Sequence, residues 1–207
     1  MKKILLCAFD PFGGESVNPA LEAVGKVEYN NASLEKLEVP TVFMKSVETV
    51  TKKIDSLIPD AVIMIGQAGG RAAITPERVA INISDATIDD NEGNRPIDLP
   101  IAKDGPAAYF STLPIKKIKD ALTEKEIPAA ISNSAGTFVC NHLMYGVLHY
   151  IAKNRLPIIA GFVHIPYLPE QVENKPNTPS LPLETDIKAI ETIIDCTVAY
   201  LEKKSIK

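Results

Sequence analysis

Ala129-Ala130-Ile131-Ser132-Asn133-Ser134-Ala135-Gly136-Thr137-Phe138-Val139-Cys140-Asn141-His142-Leu143-Met144-Tyr145 sets the terms for the whole chain. An apolar run at Ala129–Asn133 reads as a strand, and Ser134–Thr137 as a small-residue turn. Behind Cys140, the apolar residues Leu143, Met144, Val147, Leu148 and Ile151 recur at helical spacing. The order strand, turn, cysteine, helix predicts an α/β unit with Cys140 at or near a helix N-terminus. There the positive end of the helix dipole favours a thiolate. A cysteine packed as a small hydrophobe satisfies the same pattern equally well.

Working outward, the same alternation repeats. Lys3–Phe9, Ala61–Ile65 and Leu156–Ile165 are continuous apolar runs, the pattern of strands buried on both faces. Leu34–Met44 is a further strand with Pro40 awkwardly inside it, and Glu77–Ile83 another. Asn18-Pro19 reads as a cap and first position of a helix, and Ser46 as the cap of a helix ended by Pro59. Ile115–Glu126 and Leu183–Lys203 have helical periodicity. Ser84–Gly105 is a long polar stretch, a length that in a compact domain marks a functional or mobile loop. The expectation is a single catalytic domain over 1–207. It has a mainly parallel twisted sheet with helices on both faces, as in phosphorylases and hydrolases. In such sheets the site lies beyond the carboxyl ends of the strands. Phe9-Asp10, Gly66-Gln67, Ser134–Cys140 and His164 all fall at such ends.

Composition narrows the function. With 207 residues, 45% hydrophobic, and a net charge of −4, there is neither a basic footprint for nucleic acid nor an apolar run of transmembrane length. No nucleic-acid or membrane partner is expected. Cys7, Cys140 and Cys196 are odd in number and far apart, which argues for a reducing compartment, with the cytoplasm as default. The cysteines and histidines lack metal-ligand spacing, and Gly66, Gly69 and Gly70 do not form a phosphate loop. Neither a metal nor a cofactor is expected.

Three histidines allow a Cys–His pairing to be tested by elimination. His142 is two positions from Cys140 and cannot face it on a helix. His149 is nine residues on, about 13 Å along the axis. His164, ending a strand at the same sheet edge, remains as base. Its orienting carboxylate is open at this point. Glu77 competes with Asp10, Asp85 and Asp104, and pairing of Glu77 with its neighbour Arg78 is the commoner arrangement. Phe9 and Phe12 fit either core aromatics or the walls of a small pocket.

Two long motifs then point to a family. Gly66-Gln67-Ala68-Gly69-Gly70-Arg71 continues through Ile74-Thr75-Pro76-Glu77-Arg78-Val79-Ala80-Ile81-Asn82. The second is Ser132–Asn141, supported by Gly161–Pro166 and Phe9–Gly14. Together they resemble the pyroglutamyl peptidase I (pyrrolidone-carboxylate peptidase) family of cytosolic cysteine peptidases. The resemblance implies Cys140 as nucleophile, His164 as base and Glu77 as orienting carboxylate, with removal of N-terminal 5-oxoproline from peptides and proteins. It also implies Phe9 and Phe12 on the pocket walls, Gln67 and Asn18 at its polar edge, and a homotetramer. One departure stands out. Many relatives read Asp-Ala-Arg-Ile-Pro-Asp-Asn where this chain has Asp85-Ala86-Thr87-Ile88-Asp89-Asp90-Asn91. Thr87 bears on turnover, and a catalytically weakened homologue that binds pyroglutamyl peptides is the alternative. A nucleoside phosphorylase-type transferase rests on sheet architecture alone.

Overall fold

The computed structural model describes residues 1–205; the last two positions of the expected domain lie outside the described residues. The apolar runs become neighbouring parallel strands. β1 (Lys3–Phe9) lies between β2 (Ser33–Val39) and β3 (Ala61–Gln67), and β7 (Ile159–Ile165) follows β3. A two-residue β4 (Thr75–Pro76) closes this edge antiparallel to β7, giving the order β2-β1-β3-β7-β4. Every residue of β3 and β7 is buried, which is why neither shows a polar alternation.

Alternate side chains feed two cores. Ile4, Leu6, Ile63, Ile65 and Val163 face α1 (Pro19–Lys26), α3 (Ile115–Glu124) and α5 (Leu183–Ser205). Leu5, Cys7, Phe9, Met64 and Phe162 face α2 (Lys45–Leu57) and α4 (Val139–Lys153). The doubly covered, mainly parallel sheet expected from the sequence is present.

Several local expectations change. Pro40 ends β2 at Val39, and β2 is an edge strand. Ala129–Asn133 is not a regular strand: it pairs on one side only, through isolated bridges Ile74↔Ala129 and Glu77↔Ser132. Of the expected strand Glu77–Ile83, Glu77 continues the edge pairing with β7 through its amide bond to the Phe162 carbonyl. After it, β5 (Val79–Ile81) leaves the main sheet and pairs with β6 (Ala108–Phe110). Ser46 lies inside α2 rather than capping it, and its buried hydroxyl has no partner among the described residues. The Ser84–Gly105 loop is organised rather than loose. Asp90 accepts hydrogen bonds from the backbone of Phe43, Glu92 and Asn94 at 3.0, 2.9 and 2.8 Å.

Candidate active site

The carboxyl ends of β3 and β7 bring the chemistry together. Gly66 and His164 are register partners, so both face the α4 side of the sheet. A Cβ built on Gly66 would lie 2.6 Å from the Phe162 ring and 3.3 Å from Cys140 Sγ. The missing side chain thus makes the space in which the cysteine meets the strand end. Gly136, at φ +77°, supplies the left-handed turn that leads into α4.

α4 starts one residue before Cys140, with Phe138 as N-cap and no side-chain cap among the described residues. The first-turn amides of Val139 and Cys140 have no acceptor inside the helix and remain open to a ligand. Packing makes the missing cap tolerable. A cap is worth about 1 kcal/mol, whereas burying each of Leu143, Met144, Val147 and Leu148 contributes roughly 2 kcal/mol. Asn141 fastens this start to β5: its Oδ1 accepts from Ile81 N at 3.0 Å, and its Nδ2 donates to the carbonyls of Ile81 and Ile83.

His164 is buried, and its Nδ1 lies 2.7 Å from Glu77 Oε1. Glu77 is fully buried, pinned by a 2.9 Å bond from its backbone amide to the Phe162 carbonyl. Burial would raise its pKa, but the hydrogen bond and charge of His164, with help from Ser132 and Arg71, hold it below the usual value. An ionised Glu77 accepts Nδ1–H and leaves Nε2 as the basic nitrogen. Burial lowers the pKa of His164, and Glu77 opposes this only in part, so the ring is neutral at rest. The cation on Glu77 is Arg71, at 2.6 Å, and not its sequence neighbour. Arg78 binds Asn133 instead. The rival carboxylates are elsewhere: Asp85 takes the Asp98 amide and Asp104 pairs with Lys153.

Expectation and structure part over the thiol. Cys140 keeps some exposed surface, but burial, with the charge of Glu77 second, pushes its thiol from 9.0 up to about 12. A helix terminus is worth up to about 1 kcal/mol, under one pKa unit. Desolvation wins, and the resting group is a thiol. His142 is spent on structure: it accepts from Met44 N at 3.2 Å and meets Ser84 Oγ at 2.7 Å, and burial pushes it down to about 4. His149 meets Tyr109.

Of the pocket residues, Phe12 is half-buried and packs on Phe138 with centroids 6.1 Å apart. Phe138 was not singled out from the sequence, although its place two residues before Cys140 could have marked it. Phe9, 1% exposed, lies behind Phe162, whose ring is 4.7 Å from that of His164. Asn18 commits both ends of its amide to the fold, capping α1 at Ala20 N and donating to the Asp10 carbonyl. Gln67, at the rim, alternates to the face opposite His164, where its Oε1 accepts from Gln171 at 2.9 Å. A cavity of about 710 Å³ lies between α2 and the Ser84–Gly105 loop. None of Cys140, His164 and Glu77 lines it, and the edge contact of Phe43 with Phe138 stands on the side toward Cys140.

Comparison with known proteins places these residues in context. A family model described as pyroglutamyl peptidase matches residues 2–200. Pyrrolidone-carboxylate peptidase 1 of Caldanaerobacter subterraneus subsp. tengcongensis is 60% identical over 198 residues, covering 95% of this chain and 98% of that one. The crystal structure of Bacillus amyloliquefaciens pyroglutamyl peptidase I superposes with a TM-score of 0.93 at 48% identity, covering 97% and 98% of the two chains. The pyrrolidone carboxyl peptidase of Thermococcus litoralis gives 0.94 at 40% identity, covering 99% and 96%.

Proposed function

This chain belongs to the pyroglutamyl peptidase family, and from that premise we propose that Cys140, His164 and Glu77 carry its reaction. The protein is a cysteine exopeptidase that removes N-terminal pyroglutamate from peptides and proteins. The observation that carries the residue roles is the buried Glu77–His164 contact of 2.7 Å beside the open start of α4.

In this reading His164 Nε2 takes the Cys140 proton as sulfur attacks the carbonyl that joins the lactam ring to the next residue. A neutral thiol and neutral imidazole at rest mean that charge separates only as the bond forms. The first-turn amides of α4 receive the developing oxyanion. His164 then protonates the leaving amine and afterwards activates the water that hydrolyses the thioester. Phe12 walls the ring together with Phe138. Phe9 acts from behind, by bracing Phe162. Asn18 fixes the Asp10–Val17 loop, and the Gln67 amide N–H₂, without a hydrogen-bond partner among the described residues, supplies the polar edge. A site built to pair the lactam should reject prolyl peptides by several orders of magnitude, because a buried polar group would be left unpaired.

We also propose one catalytic domain and a homotetramer in the cytoplasm. No helix among the described residues is long and apolar enough to cross a membrane. Ile97 and Phe110, 72% and 69% exposed, offer apolar surface for assembly. Light scattering tests the tetramer. The chemistry is tested on a chromogenic pyroglutamyl amide with wild type and Cys140→Ser, whose rate should fall on the order of 10³-fold or more. Activity surviving in the variant would overturn the nucleophile. Binding by wild type without release would leave only the weakened homologue. Because the folded pKa of His164 lies below 6.5, activity should fall with acid only beneath that pH.

A further inference from the structure

Beyond the three residues above, the charged side chain of Arg71 touches the site. Arg71 sits in the turn after β3, its backbone amide bonded to the Ala68 carbonyl. Its Nη1 donates to Glu77 Oε1 and to Thr75 Oγ1, both at 2.6 Å, and its Nη2 donates to the Ser134 carbonyl at 3.2 Å. One guanidinium therefore grips the carboxylate that orients the base and the turn that leads into the nucleophile helix. Glu77 Oε1 is shared between Arg71, in the turn after β3, and His164, at the end of β7.

We propose that Arg71 is a positioning residue of this site, locking Glu77 onto His164, tying both to the Ser134–Phe138 turn, and neutralising the carboxylate beside the thiol. The inference rests on the Cys140–His164–Glu77 reading above. Its physical basis is a buried charge count. Glu77 without a cation would be a negative charge next to two groups that must exchange a proton. It would favour the protonated form of both. The charges that reach Cys140 and His164 are those of Glu77 and Arg71, and they act in opposite senses on each. Arg71 thereby keeps the thiol from rising further and the imidazole unprotonated. The planar fork matters as well as the charge, because a single ammonium cannot span Glu77, Thr75 and Ser134 together.

The test is the pH dependence of pyroglutamyl amide hydrolysis, with the pH dependence of Cys140 alkylation by iodoacetamide as a second readout. Arg71→Met should lower kcat roughly 10- to 100-fold with KM little changed, and should move the acid limb of the rate and the alkylation midpoint upward by about half to one pH unit. Arg71→Lys keeps the charge and serves if the Met variant does not fold. Its pH limbs should stay near the wild-type positions while kcat falls by less. In a Glu77→Gln background, Arg71→Met should still move both limbs upward, because its charge reaches Cys140 and His164 directly, while kcat falls by less than it does when Glu77 is present. Wild-type limbs in Arg71→Met, or limbs displaced equally in Arg71→Lys, would overturn the role of charge. Should Glu77→Gln itself keep wild-type activity, the failure would belong to the underlying triad and not to Arg71.

Discussion

Two carboxylates are wholly buried among the described residues, Glu77 and Asp186, and they behave in opposite ways. Glu77, at the catalytic rim, has His164 and Arg71 on one oxygen and stays ionised. Asp186, in the first turn of α5, has no hydrogen-bond partner for either oxygen among the described residues, and burial pushes it up to about 8. A place near a helix N-terminus favours a carboxylate in both the sequence and the dipole argument. Burial without a partner overrides it at Asp186, just as burial overrides the helix end at Cys140. Partners, not depth, decide which buried acid carries charge.

The sharpest way to break this contrast is to remove the charge that is partnered. Glu77→Gln should cut kcat/KM on the order of 10²- to 10⁴-fold, since the imidazole loses the acceptor that sets its tautomer. It should also destabilise the fold by about 3 kcal/mol, because Arg71 loses its counter-charge. Steady-state kinetics and a denaturant titration measure the two effects. Near-wild-type turnover would show that the contact is only structural.

Removing the unpartnered acid should act on stability alone. The pKa of Asp186 is higher folded than unfolded, so the native state holds its proton more tightly, and stability falls as pH rises from about 4 to about 8. Glu77 has the opposite sign, its contribution being fully present above its unfolded value of 4.5 and lost as pH falls from there toward its lower folded value. Asp186→Asn cannot ionise. Its melting temperature should exceed that of wild type above pH 8 by a few degrees, corresponding to roughly 1–3 kcal/mol, and the gap should close near pH 4. Parallel melting curves across that range would show that Asp186 is not the titrating group. The smallest expected effect is at the rim. Thr87 is exposed, two residues beyond Asp85, whose carbonyl accepts from Thr137 Oγ1 at 2.7 Å. Thr87→Arg should raise kcat a few-fold, measured on the same amide substrate, and an unchanged or lower rate would count against it.

Much of the rim was readable before any coordinates. Apolar runs located β1, β3 and β7, and counting residues excluded His142 and His149. The helix start at Cys140 followed from small residues ahead of a 3.6-residue pattern. What stayed hidden has a common cause: it depends on partners distant in sequence. The cation on Glu77 is six residues away across a turn, so the neighbouring Arg78 looked equally suitable. The thiol's ionisation depends on how closely α4 approaches the ends of β3 and β7, which Gly66 makes possible but does not announce. The pairing of Ala129–Ser132 with Ile74–Glu77 joins two segments more than 50 residues apart through isolated bridges rather than a continuous ladder. Ser46 looked like a cap because capping residues have the same short polar side chain as any buried serine.

Asn141 has a consequence of a different kind. Its single amide completes the hydrogen bonds of Ile81 and one of Ile83, as an extra strand would, from a position beside the nucleophile. The Ser84–Gly105 loop begins directly after those residues. The root of that loop and the sulfur are therefore mounted on the same rivet. Tension on one is transmitted to the other across one side chain, and a substitution that shifts the loop's root displaces the attacking atom without touching the substrate.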